Sequence, residues 1–175
     1  MKGLPVFIAA FALLAAGCGS TSTAPTTVAP TKPTLAASLS PANEVPPIPA
    51  SSPESTGTGT ATITLDTTTN ASGQITSATA TFVVNLSGFP PNTPINAAHI
   101  HVGANTCACP VAVSTGITSG ANVLTNGSGS FTVAGINVTA DVASAILANP
   151  AGYYFNVHSA LNPGGVARGT LARLQ

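Results

Sequence analysis

Three histidines are the residues of this 175-residue sequence best suited to chemistry, and they fall in two short stretches. In Ala97-Ala98-His99-Ile100-His101-Val102, an extended chain with a side-chain period of two puts both imidazoles on one face and Ile100 with Val102 on the other. Two rings about 7 Å apart along a strand face can converge on one ion. The third histidine ends Tyr153-Tyr154-Phe155-Asn156-Val157-His158, where His158 shares a face with Asn156 and Tyr154. If the two stretches lie side by side or face to face, His99, His101 and His158 form a neutral nitrogen set of the kind that holds zinc or copper. The plainer alternative is that each histidine is a strand residue hydrogen-bonded to backbone or to a carboxylate.

Two further groups stand near that chemistry. Cys107-Ala108-Cys109 follows the His-x-His by a short loop, and in an oxidising compartment two such thiols are expected to pair as a disulfide. Soft ligation of copper or zinc beside His99 and His101, or two free thiols, are the alternatives. Glu44 and Arg168 are two of very few charged residues, so an ion pair between them is the simplest expectation. Glu44 orienting a ligand histidine is a second option, and two unrelated solvated charges a third. Hydrolytic chemistry lacks parts: no Gly-x-Ser-x-Gly elbow occurs and the four carboxylates are scattered. The sequence therefore reads as a non-enzyme.

These residues must be positioned by short strands. Ala61, Ile63 and Leu65 alternate with Thr60, Thr62 and Thr64, the mark of a strand with one buried face. Similar runs cover Leu35–Ser40, Gly57–Asp66, Gln74–Leu86, Asn96–Val102, Pro110–Thr115, Gly129–Ile136, Tyr153–Ser159 and Val166–Leu174, separated by Gly, Pro and Asn clusters. Thr139 to Pro150 breaks the pattern. A capping Thr139, an early Asp141 and a terminating Pro150 predict one short helix. The expected fold is all-β, a Greek-key sandwich or flattened barrel of about eight strands with that helix at one edge or end.

Ahead of the strands the chain reads differently. Lys2, an apolar run from Leu4 to Ala16, and small residues before Cys18 have the build of a secretory signal over residues 1–17. Leu14-Ala15-Ala16-Gly17-Cys18 resembles a lipobox, which implies cleavage before Cys18 and lipidation of its sulfur. An ordinary cleaved signal peptide is the alternative. Residues 18–34 are rich in Thr, Pro and Ser and read as an extended linker, leaving 35–175 as one domain. The expected location is outside the cytoplasm, anchored by lipid to the outer membrane or cell surface. Only 5% of residues are charged and the formal net charge is zero, so no basic patch exists to bind nucleic acid.

Five blocks in order complete the reading. Leu39-Ser-Pro-Ala-Asn-Glu-Val-Pro-Pro47, Thr56-Gly-Thr-Gly-Thr60, Ala98-His-Ile-His-Val-Gly103, Tyr154-Phe-Asn-Val-His158, and Asn162-Pro-Gly-Gly165 with Arg168-Gly169 resemble the ordered motifs of the CHRD (chordin) domain. The resemblance spans nearly all of 35–175 and implies an extracytoplasmic β-sandwich without a settled activity. Ser159, Ala167 and the Cys-Ala-Cys insertion depart from the family pattern. His99-Ile-His101 is also similar to the His-x-His strand of copper/zinc superoxide dismutase, but three histidines cannot build that two-metal site. The functional expectation is a binding module for zinc or copper, or for a protein or matrix partner, through the histidine region. A purely structural or adhesive domain and a small copper redox enzyme are the competing classes.

Overall fold

The computed structural model describes residues 32–104 and 106–174. The signal segment, Cys18 and most of the expected linker lie outside them. In chain order the strands are β1 (Thr34–Leu39), β2 (Thr58–Thr69), β3 (Ile75–Ser87), β4 (Thr93–Val102), β5 (Val111–Ser114), β6 (Asn122–Leu124), β7 (Gly129–Val138), β8 (Tyr153–Ser159), β9 (Ala167–Thr170) and β10 (Ala172–Arg173). One helix, α1 (Ala140–Ala148), joins β7 to β8 by way of a short 3-10 turn, Pro150–Gly152.

All pairings are antiparallel, and they make two sheets. The first runs β10-β1-β2-β3-β7; the second runs β5-β4-β8-β9, with β6 also paired to β4. Between them lies a core of alternating inward residues, among them Ile63, Leu65, Phe82, Val84, Ile100, Phe155 and Val157. Phe82 and Phe155 stack across the gap with ring centroids 5.8 Å apart. The alternation read in β2 is the observed one: Ala61, Ile63 and Leu65 are fully buried while the threonines between them face outward. This is the all-β sandwich that the sequence predicts.

Two details differ from that prediction. Val166–Leu174 is not one strand but two, because the chain crosses from the second sheet to the first at Leu171, which is buried. The crossing brings the backbones of the two sheets together: Ser40 bridges Arg168, and a Cβ on Gly169 would collide with the Ser38 carbonyl oxygen. The strand β6 was also absent from the expectation, since Asn-Val-Leu is too short to show alternation. The helix appears as expected, with the Thr139 hydroxyl accepting from the Val142 amide at 3.4 Å and Asp141 in its first turn. Among the described residues no helix is long and apolar enough to cross a membrane.

The strand that departs from the sandwich pattern is β8. A sandwich strand normally buries one face, yet every residue from Tyr154 to Ser159 is buried. Its inner side, Phe155 and Val157, joins the core. Its outer side carries Tyr154, Asn156 and His158, so something other than the opposite sheet covers it.

Candidate metal centre

Register decides which side chains meet. Antiparallel pairing of β4 with β8 sets Ala97 opposite His158, His99 opposite Asn156 and His101 opposite Tyr154. Pairing of β8 with β9 adds Arg168 opposite Asn156. Directly opposed residues project to the same face, so His99, His101, Tyr154, Asn156, His158 and Arg168 share the outer face of the second sheet. Histidines 59 positions apart in the chain become neighbours.

One ring nitrogen from each histidine lies within 4.8 Å of the other two. His99 Nδ1 is 3.2 Å from His158 Nε2. With metal–nitrogen bonds of about 2.0–2.1 Å, two ligands of a tetrahedral ion stand about 3.3 Å apart, so this pair already has the spacing of a coordination edge. Since all three nitrogens lie within 4.8 Å of one another, closing the remaining distances to that edge takes at most about 1.5 Å.

The orientation of two rings is fixed by backbone. His101 Nδ1–H donates to the Cys109 carbonyl at 2.7 Å, and His158 Nδ1–H donates to the Pro163 carbonyl at 3.0 Å. Each ring then holds its lone pair on Nε2, the state a metal requires. His101 Nε2 is buried with no hydrogen-bond partner. An orphaned buried acceptor costs free energy unless something binds it. Burial also favours the neutral form of all three rings: it pushes His99 down to about 4, reinforced by His158 and His101. His101 and His158 are lowered by the same desolvation, against the opposing pull of their bonds to Cys109 and Pro163.

Three loops cover the face. Arg168, 1% exposed, donates through Nε and Nη2 to Glu44 Oε2 at 2.7 and 2.6 Å, and through Nη1 to the Cys107 carbonyl at 2.6 Å. Its guanidinium lies 4.7 Å from the centre of the Tyr154 ring, which in turn stacks on His101 at 4.8 Å and 3°. A layered stack of guanidinium, phenol and imidazole therefore braces the site from behind. Burial raises the Glu44 carboxyl, with the bonds and charge of Arg168 and the nearby Asn156 amide working in the opposite direction. Gly165, at φ +133°, lets its loop close over this corner: a Cβ there would sit 2.5 Å from Asn156 Nδ2 and 2.7 Å from Glu44 Oε2.

The Glu44–Arg168 pair expected from the sequence forms, with both nitrogens on a single carboxylate oxygen. Glu44 Oε2 is taken by Arg168 and its Oε1 has no hydrogen-bond partner, so it holds none of the three histidines; backbone carbonyls hold His101 and His158. Cys107 and Cys109 are joined in a disulfide. Sequence reasoning missed Glu54, which is buried and accepts from Ser159 Oγ at 2.6 Å and Asn162 Nδ2 at 2.5 Å. These bonds pin the turn that delivers the Pro163 carbonyl to His158. Nothing in Ser52-Pro-Glu-Ser55 distinguishes that carboxylate from a solvated one.

The family model for the CHRD domain matches residues 35–171, which includes every residue of this site. The chain belongs to the CHRD domain family. No curated protein and no solved structure matches it significantly. The CHRD motifs are thus accounted for physically: the Asn-Glu-Val-Pro block supplies the partner of Arg168, the His-x-His and Tyr-Phe-Asn-Val-His blocks supply the rings, and the Asn-Pro-Gly-Gly block supplies the carbonyl and the close approach at Gly165.

Proposed function

We propose that this CHRD domain is a non-enzymatic binding module of the cell envelope that holds one transition-metal ion, zinc or copper, on His99, His101 and His158. The observation that carries the reading is the convergence of three neutral imidazoles, two of them locked by carbonyls in the tautomer that presents Nε2. Neutral nitrogen donors suit zinc or copper better than calcium or magnesium, which prefer oxygen. Export, with lipidation at Cys18 as the anchor and residues 18–34 as the tether, belongs to the same proposal. It is supported by the signal and lipobox pattern and by a disulfide, which persists in oxidising compartments.

Metal analysis of the purified protein tests it. One zinc or copper per chain is expected, lost in a His99→Ala/His158→Ala double variant that keeps its far-ultraviolet spectrum. One observation favours a second reading: at 3.2 Å, His99 Nδ1–H can donate to His158 Nε2, a purely structural bond. A chain that takes up no ion and whose melting temperature ignores added zinc and copper would select that structural or adhesive role. Mass spectrometry of the membrane fraction, with the Cys18→Ser variant as control, tests the anchor.

A further inference from the structure

The disulfide of Cys107 and Cys109 is more than a staple for its loop, because four hydrogen bonds to the site originate in its two residues. The Cys109 carbonyl accepts from His101 Nδ1–H at 2.7 Å. The Cys107 carbonyl accepts from the Tyr154 hydroxyl at 3.1 Å and from Arg168 Nη1 at 2.6 Å. The Cys109 amide donates to the same Tyr154 hydroxyl at 3.1 Å. The Cys107 carbonyl carbon and the Cys109 nitrogen are both members of the small covalent ring that the disulfide closes. The bonds that orient the phenol and the guanidinium are made by ring members, and the Cys109 carbonyl that orients His101 hangs from the ring at the Cys109 Cα, so all of them follow the shape of one ring.

The sulfurs also occupy the space where a side chain on Gly103 would stand. Gly103 has φ +97°, and a Cβ there would lie 2.8 Å from Cys109 Sγ and 3.0 Å from Cys107 Sγ. Two thiols that are no longer bonded must move apart to van der Waals separation, and the small ring that held them opens. The loop has to shift, and the carbonyls shift with it. Both cysteines are half-exposed and Ala108 between them is exposed, so a reductant can reach the bond.

We propose that the Cys107–Cys109 pair is a redox-modifiable site whose oxidised form sets the grip of the three-histidine centre on its ion. This rests on the metal reading above. The reductant is a dithiol: its two thiols supply two electrons and two protons, the Cys107–Cys109 bond breaks to two thiols, and the dithiol leaves as a disulfide. Loss of the Cys109 carbonyl frees the His101 ring to rotate and to exchange tautomers, so the reduced protein binds its metal more weakly. Changes to groups that orient metal ligands cost about 10–100-fold in affinity, and a loss in that range is expected here.

Zinc affinity is measured by chelator competition on the whole chain in three forms: oxidised, reduced with the reductant removed under anaerobic conditions, and the Cys107→Ser/Cys109→Ser variant. The oxidised form binds most tightly, the other two about 10–100-fold more weakly, and reoxidation restores the first. Equal affinity in all three forms overturns the proposal. So does tighter binding by the reduced form that the serine variant lacks, since the thiols would then be ligands. A second readout needs no metal: the His101 Nδ1–H proton resonance, protected in the oxidised protein, is lost on reduction. If no form binds zinc while that proton still responds, the metal reading fails and the coupling of disulfide to histidine stands. If the proton is indifferent to redox state, the coupling fails whatever the metal does.

Discussion

Glu44→Gln isolates the pair on which the layered stack rests. The substitution keeps the size and planarity of the side chain and removes its charge. The side chains of Glu44 and Arg168 are 3% and 2% exposed, so the guanidinium left behind has almost no water to replace the lost negative charge, and its acceptors are then only neutral oxygens, the new amide oxygen and the Cys107 carbonyl. Removing one partner of a buried pair costs about 3–5 kcal/mol. For a domain of this length each kcal/mol moves the melting temperature by roughly 3–5 °C, so a fall of about 10–20 °C is expected. Differential scanning calorimetry on the metal-free protein measures it directly. The compensating experiment is Glu44→Gln combined with Arg168→Met, which removes both charges and fills the same volume. It recovers most of the loss, because the cost lies in the unpaired charge and not in the absence of the bond. A single variant within about 1 kcal/mol of the parent would show that the pair is solvated and contributes as an exposed one does. The argument for a braced site would then fail.

Four other outcomes follow from the same geometry. Zinc or copper at a hundredfold excess over its Kd stabilises the folded chain by about 2.7 kcal/mol, seen as a rise in melting temperature that the His99→Ala/His158→Ala variant lacks. Stability of the metal-free protein falls as pH drops from about 6.5 toward about 4: His99 stays neutral in the folded state down to about 4, whereas in the unfolded chain it takes up a proton near 6.5, so the unfolded state binds more protons in that window. Denaturant melts at constant ionic strength check the sign, and a flat profile would refute it. Gly165→Ala forces a side chain into φ +133° and against Asn156 and Glu44, costing at least about 1–3 kcal/mol from backbone strain alone. Phe82→Ala removes the inter-sheet ring contact and costs about 3–5 kcal/mol in calorimetry, while leaving metal stoichiometry at its parental value.

How much of this was legible before folding follows from what a sequence encodes. Period-two alternation names the face on which a side chain stands, so the shared face of His99 and His101, and that of Tyr154, Asn156 and His158, could be read directly. The alternation does not name the neighbour of a strand. That β4 pairs with β8, and in a register that brings His158 beside His99, depends on the packing of two whole sheets. Charge scarcity marked Glu44 and Arg168 as partners, since a buried guanidinium in this chain has few carboxylates to choose from. The same argument could have flagged Glu54, but its partners are a serine and an asparagine, residue types too common here to stand out. The acceptors that fix His101 and His158 are backbone carbonyls, which every residue carries and no motif announces.

The distribution of burial ties these observations to function. A sandwich of this size needs only the inner faces of its sheets to form a core, and the outer faces of β2 and β3 are mostly threonine, serine and asparagine open to solvent. The exception is the outer side of β8, where the loops around Glu44, Cys107 and Pro163 are drawn over polar residues and Glu54 pins the last of them. Covering polar groups is unfavourable unless they are satisfied. Most are, by the ion pair, by the carbonyls and by the stack, but His101 Nε2, Asn156 Oδ1 and Glu44 Oε1 are not. A fold that merely needed stability would place leucine and valine under those loops, at no cost in desolvated charge. That the chain instead buries an arginine, two glutamates and two histidines, and leaves an imidazole nitrogen without a partner among three that converge, is the physical argument for the binding role proposed for the outer face of β8.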